Sequence, residues 1–428
     1  MLLSGEAGIG KSRLTAALLE RLATEPHTRL RYFCSPQHTD SALYSIISQM
    51  ERAAGFAHGD TAQTKLDKLD TLLAQSLTPR QDVALFADML SLPNDGRYPT
   101  LELDPQQRRR RTLEALTTQI KALAQQGPVL IICEDAHWAD PTSLETLGRT
   151  VDRIRTHGVL LIVTYRPQFK PPWIGQSHVT ARTIRPLTRR EIGTMIDVII
   201  GNKPLPTGFC HDIIERSDGI PLFVEEMTKA VLEVEARRTA AMVPSPASVV
   251  PASLQASLMA RLDRLGPAKE VAQIGAAIGR EFSHALLAAV VRTSETELSS
   301  ALDRLIAAGL LFRQGMSPYT SYLFKHALVR DAAYGTLLRE PRRALHARIS
   351  EILESQFAEL TETRPELLAR QCSDAGLIEK AAGLWGIAGQ RSLERFALVE
   401  AVAQFTRALD QVASLPATPA LRREQIKV

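Results

Sequence analysis

Through residues 1–186 of the 428-residue chain, short β-branched runs alternate with stretches of helical period, the pattern of a parallel sheet covered by helices. The strand candidates are Leu2-Leu3, Leu30 to Phe33, Val129 to Cys133, Val159 to Thr164 and Thr183 to Arg185. Leu43, Ile46, Ile47 and Met50 fall at i, i+3, i+4 and i+7, so that stretch lays one apolar stripe on the sheet. Leu66 to Leu92 reads as further helices, closed by the turn Pro93-Asn94-Asp95-Gly96.

From Leu187 the strands give way to helix signals, beginning with Thr188 and Glu191 at capping-box spacing. Pro244, Pro246 and Pro251, set among Ser, Ala and Val, mark a linker. Beyond it Leu254, Leu258, Leu262 and Leu265 share a helix face that Gly266-Pro267 stops. Two more helices are expected, the second running from Ser294, with Glu297 three residues on, to Gly309. The extended runs Leu310 to Arg313 and Tyr319 to Phe324 flank Gly315-Met316-Ser317-Pro318 as a hairpin, and helices followed by a hairpin are the plan of a winged helix.

Near the end Trp385, Gly389, Ala401, Phe405 and Ala408 have tetratricopeptide spacing, with Ser392 where a tyrosine is expected and the closing proline late, at Pro416. About three repeats are needed to bury such a core, so the array is expected to be cut short. The fold class expected is an α/β P-loop core with helices on both faces of a parallel sheet, then an all-α lid, a winged helix and tetratricopeptide-like repeats. The boundaries are 1–186 for the core, 187–241 for the lid, 242–250 for the linker, 251–340 for the winged helix and 341–428 for the repeats.

Composition narrows the partners. With 51 basic and 47 acidic residues the net charge is +4, too balanced to imply nucleic acid or a membrane surface. The expected recognition helix argues the same way, since Glu295, Glu297 and Asp303 outweigh Arg304. Cys34, Cys133, Cys210 and Cys372 have no zinc-site spacing and suit a reducing compartment. Without an export signal or a long apolar run such as a membrane span needs, a cytoplasmic, membrane-free protein is expected.

The chemistry concentrates at strand ends. Gly5-Glu6-Ala7-Gly8-Ile9-Gly10-Lys11-Ser12 fits G-x-x-x-x-G-K-[ST] between a strand and a helix. Its glycines let backbone N–H groups wrap a phosphate, Lys11 reaches the β and γ phosphates of ATP, and the Ser12 hydroxyl ligates Mg²⁺. Glu134-Asp135 ends an apolar strand, where ligands of parallel sheets bind. Glu134 takes the metal-coordinating place and Asp135 that of the residue orienting water, or the two exchange roles. Arg166 is a γ-phosphate sensor or a surface arginine. Gly219-Ile220-Pro221 closes one helix and opens the next, or also serves the nucleotide. Asp140-Pro141 reads as an N-cap and first helical residue, with His137 and Trp138 in the preceding loop. Arg108 to Arg111 reads as a solvated helix end.

Gly5 to Leu14, Glu134 to Asp140, Thr164 to Pro167 and Ser217 to Glu226 together resemble the STAND class of signal-transduction ATPases. They are most similar to the ATPase region downstream of class III adenylate/guanylate cyclase domains, and Phe324 to Leu338 and Ala375 to Ala401 extend the likeness. The resemblance implies that Arg13 belongs to the nucleotide loop and that Pro221 of the lid touches the nucleotide. It implies partner-sensing repeats, slow hydrolysis and an effector such as a cyclase that reads the ATP or ADP state. The alternatives are a non-catalytic segment of a cyclase-type regulator or a degenerate scaffold. Only Met1 to Ser4 precede Gly5, so a shortened N-terminus with weakened adenine contacts is expected.

Overall fold

The computed structural model describes residues 1–57, 59–76, 78–201, 208–241, 254–315 and 320–415. The linker expected at 242–250, Pro251, the hairpin residues Met316 to Tyr319 and Pro416 lie outside them.

The first part runs β1 (Leu2–Ser4), α1 (Lys11–Arg21), β2 (Thr28–Phe33), α2 (Tyr44–Ala54), α3 (Ala62–Ala74), α4 (Arg80–Met89) and α5 (Pro105–Gln126). It continues with β3 (Val129–Glu134), α6 (Pro141–Arg153), β4 (Val159–Tyr165) and β5 (Ala181–Thr183). The five strands form one parallel sheet in the order β2-β3-β4-β1-β5. Alternation along the strands sends Leu3, Leu130, Ile132 and Ile162 to one face, under Leu18, Leu19 and Leu22 of α1. Leu2, Ile131, Cys133, Leu161 and Val163 face the other side, against Ile46 and Met50 of α2 and Leu113 and Leu116 of α5. Burial on both faces is why these strands read as unbroken apolar runs.

Three expectations need correction here. Strand β5 lies two residues earlier than Thr183 to Arg185, because pairing with β1 sets its place: Leu2 sits opposite Ala181. Helix α5 begins at Pro105 with Asp104 as its cap, so Arg108 to Arg111 are inside the helix rather than before it. Arg109 there is no bare solvated charge; it bonds Glu145 of α6 at 2.6 Å.

Next come α7 (Arg189–Ile200), α8 (Phe209–Arg216) and α9 (Pro221–Ala241), packed through Ile192, Ile196, Ile213, Val224 and Met227. Both capping-box bonds of Thr188 and Glu191 form at the start of α7. The chain goes on with α10 (Leu254–Arg264), α11 (Pro267–Ile278), β6 (Glu281–Ser283), α12 (His284–Val290), α13 (Glu295–Ala307), β7 (Leu311–Gln314) and β8 (Ser321–Phe324). It ends in α14 (Ala327–Gly335), α15 (Arg339–Gln356), α16 (Ala358–Thr363), α17 (Pro365–Ala375), α18 (Ile378–Glu394) and α19 (Leu398–Ala413).

Where one helix was expected between Pro267 and Ser294, there are two with strand β6 between them, and β6 joins the hairpin in an antiparallel sheet of order β6-β8-β7. Gly275 permits this, because a Cβ there would sit 2.6 Å from the Phe282 ring. The same device joins α18 to α19, where a Cβ on Gly389 would meet the Phe405 ring at 2.6 Å. Ser392, in the place of the expected tyrosine, donates to Gln404 at 2.7 Å.

Two large apolar cores result. One holds residues up to Trp173, the other begins at Leu222 and runs to Ala408. No described helix is long and apolar enough to cross a membrane.

The turn between α8 and α9 is tightly specified. Gly219 has φ +71, its carbonyl accepts from Leu187 N at 2.7 Å, and a Cβ would lie 2.5 Å from Leu187 O. Gly219→Ala combines left-handed strain with overpacking and is predicted to cost about 2–4 kcal/mol in urea unfolding. Gly201→Ala, whose Cβ meets nothing within 4 Å, is the milder control.

Candidate functional site

Residues 5–10 connect β1 to α1, so the loop emerges at the C-terminal edge of the sheet, where the amide end of α1 also points. Gly8 and Gly10 have φ of +80 and +103, a conformation that turns successive N–H groups inward. A Cβ on Gly10 would meet nothing within 4 Å, leaving open space beside the helix start. Ile9 is buried and fills the space next to Gly5, where a Cβ would lie 2.7 Å from its Cγ2.

Lys11 is buried and donates to the loop's own carbonyls, Gly5 O at 2.7 Å and Glu6 O at 2.9 Å. Burial lowers its pKa, against the opposing pull of Asp135. Ser12 Oγ donates to Glu134 Oε2 at 2.8 Å. Glu134 is 1% exposed, and its other oxygen receives the Arg31 guanidinium of β2. Asp135 has φ +57, donates its backbone N–H to Thr164 Oγ1 at 3.0 Å and is ion-paired by Arg280 at 2.5 Å. The two acids therefore differ: Glu134 faces the loop serine, and Asp135 faces the C-terminal half.

Arg166 follows β4 and lies over the Trp138 ring at 4.8 Å. Gly8 O accepts from Leu222 N at 3.2 Å, so the first turn of α9 touches the glycine loop through the residue after Pro221. Pro221 itself opens α9. Arg13 is not gathered into the loop; it pairs with Glu20 on the exposed side of α1 at 2.7 Å. Ala7 is half-buried and the Glu6 side chain is exposed.

Three neighbours escape a reading by motif. Arg31 was legible only as a charge inside a strand, and Arg280 had no local signal. His137 sits in the short turn Ala136–Trp138, and among the described residues neither ring nitrogen has a hydrogen-bond partner. Burial lowers its pKa to about 4, with Asp135 opposing and Arg166, Lys11 and Arg280 adding to the fall. Asp140 behaves as the expected cap of α6, accepting from Ser143 N at 2.8 Å and Leu43 N at 2.9 Å. Its pKa is pushed up to about 7, chiefly by burial and in part by Glu400.

The donor set fits a nucleotide with Mg²⁺: an amide-lined loop with open space at Gly10, a buried lysine with no carboxylate bonded to its ammonium among the described residues, and a hydroxyl facing a carboxylate.

Residues 1–163 match the model of the AAA ATPase domain. An uncharacterized protein of Rhizobium meliloti is 30% identical over 415 residues, which cover 96% of this chain and 40% of that protein. The chain thus spans two fifths of the length of that relative. A Walker-type ATPase of Pyrococcus abyssi aligns at 15% identity over 78% of this chain and 90% of its own, with a TM-score of 0.30. Drosophila ORC bound to AT-rich DNA and Cdc6 aligns at 10% identity over 77% and 84%, with a TM-score of 0.22. The domain match, the parallel sheet and the glycine loop define the N-terminal part as a P-loop ATPase core.

The histidine gives a signed prediction. An unfolded His137 binds its proton near pH 6.5 and the folded one near 4, so folding loses stability as pH falls through that window. His137→Gln is expected to flatten the acid limb of a melting-temperature profile between those values and to leave it unchanged above pH 7, where both states are neutral. An unaltered acid limb would show that the ring is not held neutral.

Proposed function

We propose that this chain is an ATP-binding signal-transduction switch of the STAND type with slow Mg²⁺-dependent hydrolysis, whose C-terminal helices read partners and pass the state to an effector. The observation that carries this reading is the double use of Asp135: it follows β3, within electrostatic reach of Lys11, and is ion-paired by Arg280 from the C-terminal half. A ligand that repartners one acid biases the docking of two halves.

In this reading residues 187–241 are the lid, 251–340 a winged helix built on β6-β8-β7, and 341–428 tetratricopeptide-like repeats. Gly5 to Ser12 hold the phosphates, with Lys11 leaving the carbonyls of Gly5 and Glu6 to do so. Bound Mg²⁺ supplies charge neutralisation, and Ser12 and Glu134 would hold it, since they already face each other. Asp135 orients water once Arg280 releases it, Arg166 senses the γ-phosphate, and Pro221 places the lid. Glu6, Ala7, Ile9 and Arg13 shape the loop and the start of α1. The effector is an attached or partner protein, with a class III cyclase one candidate, and the setting is cytoplasmic.

The alternative is a scaffold that binds no nucleotide, supported by the polar network that already holds Lys11 and Glu134. Calorimetric titration of Mg-ATP and Mg-ADP separates the two. Lys11→Ala is predicted to lower affinity by about a hundredfold or more, the worth of a buried lysine's charge-assisted bonds to phosphate. A folded wild-type chain that takes up neither nucleotide would sink the switch and favour the scaffold.

Arg280→Ala tests the coupling. Freed from its partner, Asp135 should speed ATP turnover by about fivefold or more, the low end of ordinary coupling energies, with faster proteolysis between the halves. Arg280→Lys should keep the slow rate. Slower turnover in Arg280→Ala would instead give Arg280 a direct part in hydrolysis.

A further inference from the structure

A cavity of about 720 Å³ lies between the two halves, with α2 on one side and α16, α18 and the Phe357–Glu366 segment on the other. That volume suits a small organic ligand. Neither the glycine loop nor Glu134 and Asp135 line it, so it is separate from the nucleotide site.

The ionic pairing on its wall is uneven. Glu51 is paired by Arg364, Glu281 by Arg52 at 3.4 Å, and Glu359 by Lys65. Arg391 and Arg395 remain, one turn apart at the C-terminal end of α18 and both on the cavity wall. Arg395 donates to Ser91 Oγ at 2.7 Å, and among the described residues neither guanidinium is bonded to a carboxylate. Glu366 is the remaining carboxyl on this wall; it acts on Arg364 and Arg395 through space, and among the described residues it is bonded to neither Arg391 nor Arg395. Phe56, Met89, Leu90 and Phe357 supply apolar surface in the same cavity.

Two adjacent guanidinium groups beside an apolar wall are the recognition set for an amphipathic anion. We propose that this cavity binds an organic anion, its carboxylate or phosphate held by Arg391 and Arg395 and its apolar body against Phe56, Met89 and Phe357. Because the walls come from both halves, the bound anion stabilises their docked arrangement. The proposal stands on the cavity and not on nucleotide binding.

The test titrates the full chain, free of nucleotide, with naphthoate and with its uncharged isostere naphthamide, followed by calorimetry and melting temperature. Naphthoate is expected to bind and raise the melting temperature, with naphthamide and inorganic phosphate each at least about tenfold weaker, the scale of one charge-assisted bond. The Arg391→Ala, Arg395→Ala double variant should lose about tenfold in affinity, while the double lysine variant retains part of it. Lys11→Ala should bind naphthoate as wild type does, whereas loss there would put the anion on the glycine loop and overturn the proposal. Naphthamide binding as tightly as naphthoate, a result read on wild type alone, would reduce the cavity to an apolar patch and also overturn it. So would undiminished binding by a folded double alanine variant, or no binding of naphthoate, octanoate or naphthyl phosphate up to about 10 mM.

Discussion

The ion pair between Asp135 and Arg280 sets how the two halves of this chain sit. Both side chains are largely withdrawn from solvent, at 16% and 8% exposure, so removing either leaves the other charge without its ion partner. The same arrangement recurs on the neighbouring strand. Asp40, beyond the end of β2, is 3% exposed and receives Arg370 and Arg407, each at 2.8 Å, while its carbonyl accepts from Gln404 at 2.7 Å. A parallel sheet leaves its carboxylates at the C-terminal strand ends, and this chain meets them with cations from its own far half.

That choice separates function from bulk stability. The apolar core of the first half ends at Trp173 and that of the second begins at Leu222, so the halves meet largely through charged and hydrogen-bonded groups. An interface of this kind holds one geometry while its partners are in place and comes apart when a charge is reassigned, whereas a continuous apolar core would have to be torn open. The segment from Asp135 to Asp140 is gripped at both ends: Arg280 holds the first residue, and Glu400 of α19 accepts from Thr142 N at 2.9 Å beside the last. One short turn thus links the C-terminal edge of β3 to α19.

The sequence by itself determined what depends on neighbours along the chain. The glycine loop needs left-handed residues at Gly8 and Gly10, the capping boxes at Thr188 and Ser294 need a carboxylate three residues on, and Asp140-Pro141 needs only its own helix start. The unbroken apolar run of β3 told of a strand covered on both faces, for the same local reason. Tertiary structure decided the rest. A three-residue strand such as β6 carries too little pattern to declare itself and takes its identity from pairing with β8, and the exact place of β5 comes from pairing with β1. The different surroundings of Glu134 and Asp135 were not legible in the sequence, because adjacent residues at a strand end face opposite ways and only packing gives them their partners, Ser12 with Arg31 and Arg280 respectively. Arg280 stands 145 residues from Asp135, and no periodicity or spacing rule reaches that far; such a contact is fixed only when packing has brought the two halves together.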